Sequence, residues 1–286
     1  MEMTHTLRFM GVNRDTVTAG PGKRLEFFTK GCIRGVVAPC QGCFNESTWT
    51  FEGLSRELTV DEVVEICDET AWNRQVTFCG GEPILQARSL AAVAKRLKER
   101  DSSFHFVMYT AYKLDTLMKY GLKFTWVKEK HGQAMYNALK EYSSHIEHVG
   151  ESIEIPSVYG EDAEFYPTKA HFTILTPDDV QEVMKYIDLI VDGDYQQEKR
   201  LTTSEYMHDG WFIGSSNQRV IHGPLSVYKD KIIYTPAAEY NSWLSHIEKC
   251  KCCGHELFLE DAPFCNITCS KRYKKRQNEM ASLGGA

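Results

Sequence analysis

Two short apolar runs in this chain each empty into a loop suited to chemistry. Arg24–Thr29 reads as a β-strand ending at GCIRGVVAPCQGCFNESTW, which carries Cys32, Cys40 and Cys43. Gln75–Phe78 reads as a second strand, running into Gly80-Gly81-Glu82-Pro83. Three thiolates on one loop hold three irons of a [4Fe–4S] cube and leave the fourth iron open, because four ligands are needed to close such a cluster. An open iron is a place for chemistry rather than for electron storage alone. A glycine-rich turn offers backbone groups unhindered by side chains, and Glu82 adds a negative charge. That environment suits an amino-acid ligand with an ammonium group.

The remaining pattern supplies a frame for these loops. Thr59 and Glu62 form a capping box that opens a helix to about Glu69. Leu85–Arg100 places Leu90, Val93, Ala94 and Leu97 at helical spacing. Phe104–Tyr109 reads as a strand and Lys113–Lys119 as a helix. Thr176 caps a helix over Pro177–Tyr186, with proline at its first position, and Ile187–Val191 is a buried strand. Strands alternating with helices imply a parallel sheet with helices over it, an α/β fold. Residues 122–175 interrupt this order and read as an insertion, a lid or a partner-facing subdomain. Its His145 and His148 are candidates for one helix face, but no cysteine or carboxylate completes a metal set, so two surface histidines is the plainer reading.

Composition excludes several classes. The chain has 286 residues, 42% hydrophobic and 25% charged, as an ordinary globular protein does. A net charge of −6 does not favour nucleic acid. No apolar run is long enough for a membrane span. Met1–His5 lacks the features of a secretory signal, and ten cysteines then fit metal or cluster ligands in a reducing cytoplasm better than disulfides. Cys67 and Cys79 read as small buried residues, Cys79 lying beside the glycine turn. Gly20-Pro21-Gly22-Lys23 lacks the spacing of a phosphate loop, and neither a GxSxG element nor an HExxH helix is present.

A second cysteine group lies near the C-terminus. Cys250 and Cys253 form a knuckle with Gly254 at its turn, and Cys265 and Cys269 begin a helix. Such spacings read as a tetrahedral zinc site resembling a treble-clef finger. An auxiliary iron–sulfur cluster is the alternative, with Cys252 able to replace a neighbour. The basic run Lys271, Arg272, Lys274, Lys275 and Arg276 suits a solvated helix end better than a nucleic-acid site.

The two N-terminal loops together point to a cluster that binds and cleaves S-adenosylmethionine (SAM), and there the chain resembles the radical-SAM family, most closely the activating proteins of anaerobic ribonucleoside-triphosphate reductase. The resemblance rests on Thr18–Arg24 with Gly31-Cys32, on Cys40–Asn45 with Thr48-Trp49, on Gly80–Pro83, and on Asp188–Gly193 with Gly214–Arg219. It implies a partial (β/α) barrel over residues 1–121 and 176–240, with its site at the strand C-terminal ends. Residues 122–175 are then the insertion and 241–286 a small zinc-finger-like extension. It implies that Gly80, Gly81, Glu82 and Pro83 meet the methionine part of SAM, and that backbone around Gly42 and Phe44 meets its adenosine. Asp192, Asn217, Gln218 and Arg219 shape the pocket or the partner surface, or hold their own loop. The family cleaves SAM reductively to methionine and a 5′-deoxyadenosyl radical, then takes a hydrogen atom from a glycine of the reductase large subunit. A reduced flavodoxin-like or ferredoxin-like protein supplies the electron. The family spaces its cysteines CxxxCxxC; here the spacing is C-x7-C-x2-C, a longer loop that costs little more to close. Alternative functions are a radical-SAM enzyme acting on a small molecule, such as a deazapurine synthase, and a zinc-finger binding protein with an inactive cluster domain.

Overall fold

The computed structural model describes residues 6–155, 164–202, 212–234, 248–257, 264 and 267–283. The strands are β1 Thr6–Thr16, β2 Arg24–Thr29, β3 Arg56–Thr59, β4 Gln75–Gly80, β5 His105–Thr110, β6 Leu122–Val127, β7 His145–Ile155, β8 Glu164–Leu175, β9 Leu189–Asp192 and β10 Arg219–His222. The helices used below are α1 Ile33–Val37, α2 Val60–Thr70, α3 Ala87–Arg100, α4 Leu114–Tyr120, α5 Lys128–Tyr142 and α6 Pro177–Tyr186.

Seven strands form the main sheet in the order β10-β9-β5-β4-β2-β1-β3. Its centre is parallel, through β2–β4, β4–β5 and β5–β9, and its flanks are antiparallel. The α/β frame is therefore present, but the sheet is mixed. The expected strands and helices reappear within a residue or two, and both capping boxes form, at Thr59 with Glu62 and at Thr176 with Asp179.

Strand alternation sorts the side chains onto two faces. On one face Phe9, Phe27, Phe78 and Phe106 make a row across four strands, with ring centroids 5.0, 6.0 and 5.9 Å apart in turn. They join the apolar sides of α2, α3 and α6 in the main core. Each such ring contributes roughly 1.5–3 kcal/mol by leaving water. A smaller core on the other side gathers Val107, Leu189 and Val191 with Leu201, Phe212, Ile213 and Val220.

Within the expected insertion, β6, β8 and β7 form a separate three-stranded antiparallel sheet, in the order β6-β8-β7, with α5 beside it. It is not a loose flap. Trp126, Tyr136 and Phe172 join the main core, and Arg88 on α3 donates to the carbonyl of Ile174 at 3.1 Å and to that of Tyr142. His145 and His148 lie on β7 rather than on a helix, so three residues of spacing sends them to opposite faces. His148 is hydrogen-bonded to the Tyr136 hydroxyl at 2.8 Å. No helix among the described residues is long and apolar enough to cross a membrane.

Candidate functional site

Register brings the two loops together. Thr29, the last residue of β2, stands beside Gly80 at the end of β4, and Thr110 of β5 stands beside Asp192 of β9. The loops leaving these four parallel strands therefore emerge at one edge. They enclose a cavity of about 590 Å³ lined by Cys32, Cys40 and Cys43, by Cys79 through Pro83, and by Tyr109, Thr110, Gly193 and Gln218.

The cysteine loop is clasped at its base. Gly31 and Cys32 donate backbone N–H groups to the carbonyls of Thr48 and Trp49 at 2.8 and 2.9 Å. The lengthened segment between Cys32 and Cys40 is not slack, because α1 takes up most of it. Gly35 on α1 lies against Trp49, where an added Cβ would fall 2.3 Å from the ring. The amide of Gly35 donates to Cys32 Sγ at 3.2 Å and that of Asn45 to Cys43 Sγ at 3.5 Å. Such bonds to sulfur tune a cluster.

The glycine turn locks onto the same loop. Gly81 donates its N–H to Thr29 O and Glu82 to Gly31 O, both at 2.9 Å. A Cβ on Gly80, whose φ is +94°, would sit 2.6 Å from the amide nitrogen of Thr29, and one on Gly81 would sit 2.5 Å from Gly31 O. The two glycines are thus required by the close approach of the turn to the β2 exit. Sequence reasoning read them as free backbone for a ligand; the amides of Gly81 and Glu82 are used internally.

Glu82 is 1% exposed. Its carboxylate accepts from Ala111 N at 2.9 Å and from Ile84 N at 3.4 Å, so it also caps the turn of 3-10 helix that begins with Pro83. Burial pushes this acid up to about 7 against those hydrogen bonds. Burial and the nearby Glu82 push the Cys32 thiol up to about 12. A bound metal would deprotonate its thiol ligands and so reverse the shift at Cys32.

The donor set fits a cube rather than a single ion. A mononuclear tetrahedral zinc with bonds of about 2.3 Å holds its sulfurs about 3.8 Å apart. Among the described residues Cys250, Cys253 and Cys269 form a group with all three sulfurs within 4.8 Å of one another, and the triad thiols form no such group. Thiolates on separate irons of one cube stand further apart.

The other expected residues are placed as follows. Phe44 is 64% exposed at the cavity rim, its ring 4.9 Å from that of Tyr195 and beneath the Arg200 guanidinium at 5.5 Å. Gly42 has φ +72° and faces Gln197, and it is not among the residues lining the cavity. Asp192 is fully buried, accepts from Leu114 N at 2.8 Å and is gripped through both oxygens by Arg219. Gln218 accepts from Gly214 N and donates to Gly193 O, at 2.7 and 2.9 Å. Asn217 donates to Asp194 O at 2.8 Å. These residues hold the loop between β9 and β10, and Gln218 also reaches the cavity.

Sequence reasoning missed Glu26, Phe28, Tyr109, Tyr195 and Arg200 in the lining. The available signal was Glu26, an acid inside the apolar strand RLEFFT. At the C-terminal group, Gly254 N bonds to Cys250 O at 2.9 Å and Gly254 has φ +76°, which closes the knuckle. Cys269 comes from the helix Ile267–Leu283, and Cys265 lies outside the described residues.

Comparison with known proteins agrees with this geometry. Residues 18–135 match the family model described as a 4Fe-4S single cluster domain. A pyruvate formate-lyase-activating enzyme from Staphylococcus epidermidis is 38% identical over 99 residues, 33% of this chain and 36% of that protein. A similarly named enzyme from Staphylococcus aureus is 41% identical over 85 residues, 28% of this chain and 32% of its own. An anaerobic ribonucleoside-triphosphate reductase-activating protein from Haemophilus influenzae is 30% identical over 108 residues, 36% of this chain and 67% of that protein. The match therefore spans about a third of the lyase-activating relatives and about two thirds of the reductase-activating one. A four-stranded parallel centre with a cysteine triad and a glycine–acid turn at one edge defines an iron–sulfur enzyme of the α/β class. The chain belongs to the radical-SAM family of glycyl-radical-enzyme activating proteins.

Proposed function

We propose that this chain generates a glycyl radical on an anaerobic ribonucleotide reductase. The observation that carries the reading is the register of β2 against β4, which puts the cysteine triad and the Gly80–Pro83 turn in one cavity. Cys32, Cys40 and Cys43 hold the [4Fe–4S] cluster. Gly80, Gly81, Glu82 and Pro83 receive the methionine part of SAM, with the Glu82 carboxylate facing its ammonium. Phe44, at the cavity rim, borders the adenosine, and Gly42 shapes the turn that carries this ring. When bound, the cluster and SAM supply a one-electron cleavage that yields a radical able to take hydrogen from a glycine Cα. The protein's part is to orient these groups and to keep water and other hydrogen donors away from them.

The main sheet is read as the wall of a partial barrel, and residues 122–175 as the subdomain that meets the partner. Cys250, Cys253 and Cys269, with Cys265, hold a zinc that folds the C-terminal extension. The electron comes from a reduced flavodoxin-like or ferredoxin-like protein, and the setting is cytoplasmic.

Two targets compete, a reductase and a pyruvate formate-lyase. The reductase is favoured because the relative of that name is matched over two thirds of its length, the lyase-activating ones over about a third. The test mixes the reduced, cluster-bearing chain with SAM and either target under anaerobic conditions. A glycyl-radical doublet in the electron paramagnetic resonance spectrum of the reductase alone is the expected result. A doublet only on the lyase reassigns the target. SAM cleavage with neither doublet points to a small-molecule substrate.

A further inference from the structure

Glu26 lies in the middle of β2, between Leu25 and Phe27, which belong to the main core. Its own side chain is on the opposite face, 8% exposed, and lines the cavity of the cysteine triad. One oxygen, Oε1, accepts the Cys79 thiol at 3.1 Å. Among the described residues Glu26 has no ion-pair partner, and Oε2 has no hydrogen-bond donor. Arg24, two residues earlier on the same face, gives donors to Thr77 Oγ1, Pro21 O, Gln75 Oε1, Val76 O and His105 O.

A carboxylate whose one protein donor is a weak S–H group keeps its second oxygen open to a donor that enters the cavity. Glu82, the other acid of the cavity, has two backbone amides. Glu26 is three residues back from the strand end, opposite Thr77, while Thr29 stands opposite Gly80. At about 3.3 Å per residue that sets the Glu26 backbone roughly 10 Å below the turn, while its Oε1 reaches up to Cys79. The two acids thus line the cavity from different strand positions.

We infer that Glu26, beside Cys79 in the cavity wall, is the recognition site for a cationic N–H group, an ammonium or guanidinium, on the molecule that gives up the hydrogen atom. The inference rests on the activase reading above, in which a substrate segment enters this cavity. The cation is a basic side chain near the target glycine or a small amine, and the same carboxylate receives either.

The test uses the full chain with its cluster and SAM, titrated anaerobically with labelled glycine-centred peptides. The peptides differ at one position, which is arginine, lysine or citrulline, and binding is read by fluorescence anisotropy. The arginine or lysine peptide should bind about tenfold or more tightly than the citrulline peptide, as one charge-assisted contact gives. Glu26→Gln keeps an oxygen for the Cys79 thiol, removes the charge and should bring the three peptides level. Glu26→Asp should keep the preference in weaker form, which separates charge from folding. Spermidine is the small-amine arm. If it and no peptide stimulates SAM cleavage by the natural chain, and Glu26→Gln abolishes the response, the cation is small and the role of Glu26 stands. Equal affinity for arginine and citrulline peptides, with no spermidine response, overturns the inference. So does Glu26→Gln weakening SAM binding without peptide, which would give the carboxylate to the cofactor. If the natural chain cleaves no SAM, the activase reading fails, and the anisotropy arm still decides the role of Glu26.

Discussion

The Glu82 carboxylate is bonded to the backbone N–H of Ala111 at 2.9 Å, which ties the glycine turn after β4 to the segment leaving β5. The residue proposed to offer its charge to a ligand is therefore also a strut between two strand ends.

That double role shapes the expected behaviour of its variants. Glu82→Gln keeps an oxygen for Ala111 and loses the charge. It should hold iron normally and bind SAM about tenfold or more weakly. Burial has pushed the acid up to about 7, and the ligand ammonium pairs with its ionised form. SAM affinity should therefore rise as pH increases through about 7 and fall below it, while Glu82→Gln stays flat over that window. Equilibrium binding from pH 6 to pH 8 measures both; a flat profile in the natural chain removes Glu82 from the ammonium site.

Anaerobically purified protein should carry about four irons per chain in one cube. Cys40→Ala should lose the cluster and all SAM cleavage, although α1 and the clasp at Thr48 and Trp49 remain. Iron analysis with the visible spectrum is the check. Full activity in Cys40→Ala would show that the C-x7-C-x2-C loop is not the ligand set.

The C-terminal thiols should hold about one zinc per chain. Cys250→Ser should lose it, and a chain ending near Tyr240 should contain none yet keep its iron and its SAM cleavage. Elemental analysis of the three proteins decides this. Extra iron in place of zinc would mark an auxiliary cluster.

His222 is 3% exposed and accepts from Leu225 N at 3.1 Å, capping the short helix Gly223–Tyr228. Burial lowers it to about 4 from an ordinary value near 6.5. The folded chain thus holds it neutral while the unfolded chain takes up a proton. Its contribution to stability is complete above about pH 6.5 and disappears as pH falls to about 4, a loss of roughly 3 kcal/mol. His222→Asn keeps a capping oxygen and should flatten that part of the acid limb. Urea midpoints at pH 7 and pH 4.5 for both proteins supply the comparison; parallel acid limbs would mean that another group is responsible.

Much of the frame could be read without coordinates. Thr59 with Glu62, and Thr176 with Pro177, announced α2 and α6, because a cap is a local contract between neighbouring residues. Strands β2 and β4 were visible as apolar runs meeting unusual loops. The strands β1 and β3 were not, because TLRFMGVNRDT and RELT carry weak alternation and owe their place to pairing across the sheet. His145 and His148 were set on a helix by spacing alone, and the long pairing of β7 with β8 put them on a strand. Cys32, Cys40 and Cys43 were legible as a group because three cysteines close in sequence can reach one cluster. Tyr109, Tyr195 and Arg200 were not, because they come from distant segments and have ordinary side chains.

The sequence by itself determined which atoms this protein brings to its chemistry, since thiols, a glycine turn and capping residues act through covalent identity and short-range geometry. Only the tertiary structure decided how they are arranged. Parallel register set Thr29 beside Gly80. Close packing then made the two glycines contact points against the β2 exit as well as cavity lining, and took up the amides of Gly81 and Glu82. It also aimed Glu26 into the cavity while Leu25 and Phe27 entered the core. These outcomes depend on contacts across fifty or more residues of chain, as between Glu26 and Cys79. Local sequence holds no record of them until the sheet has formed.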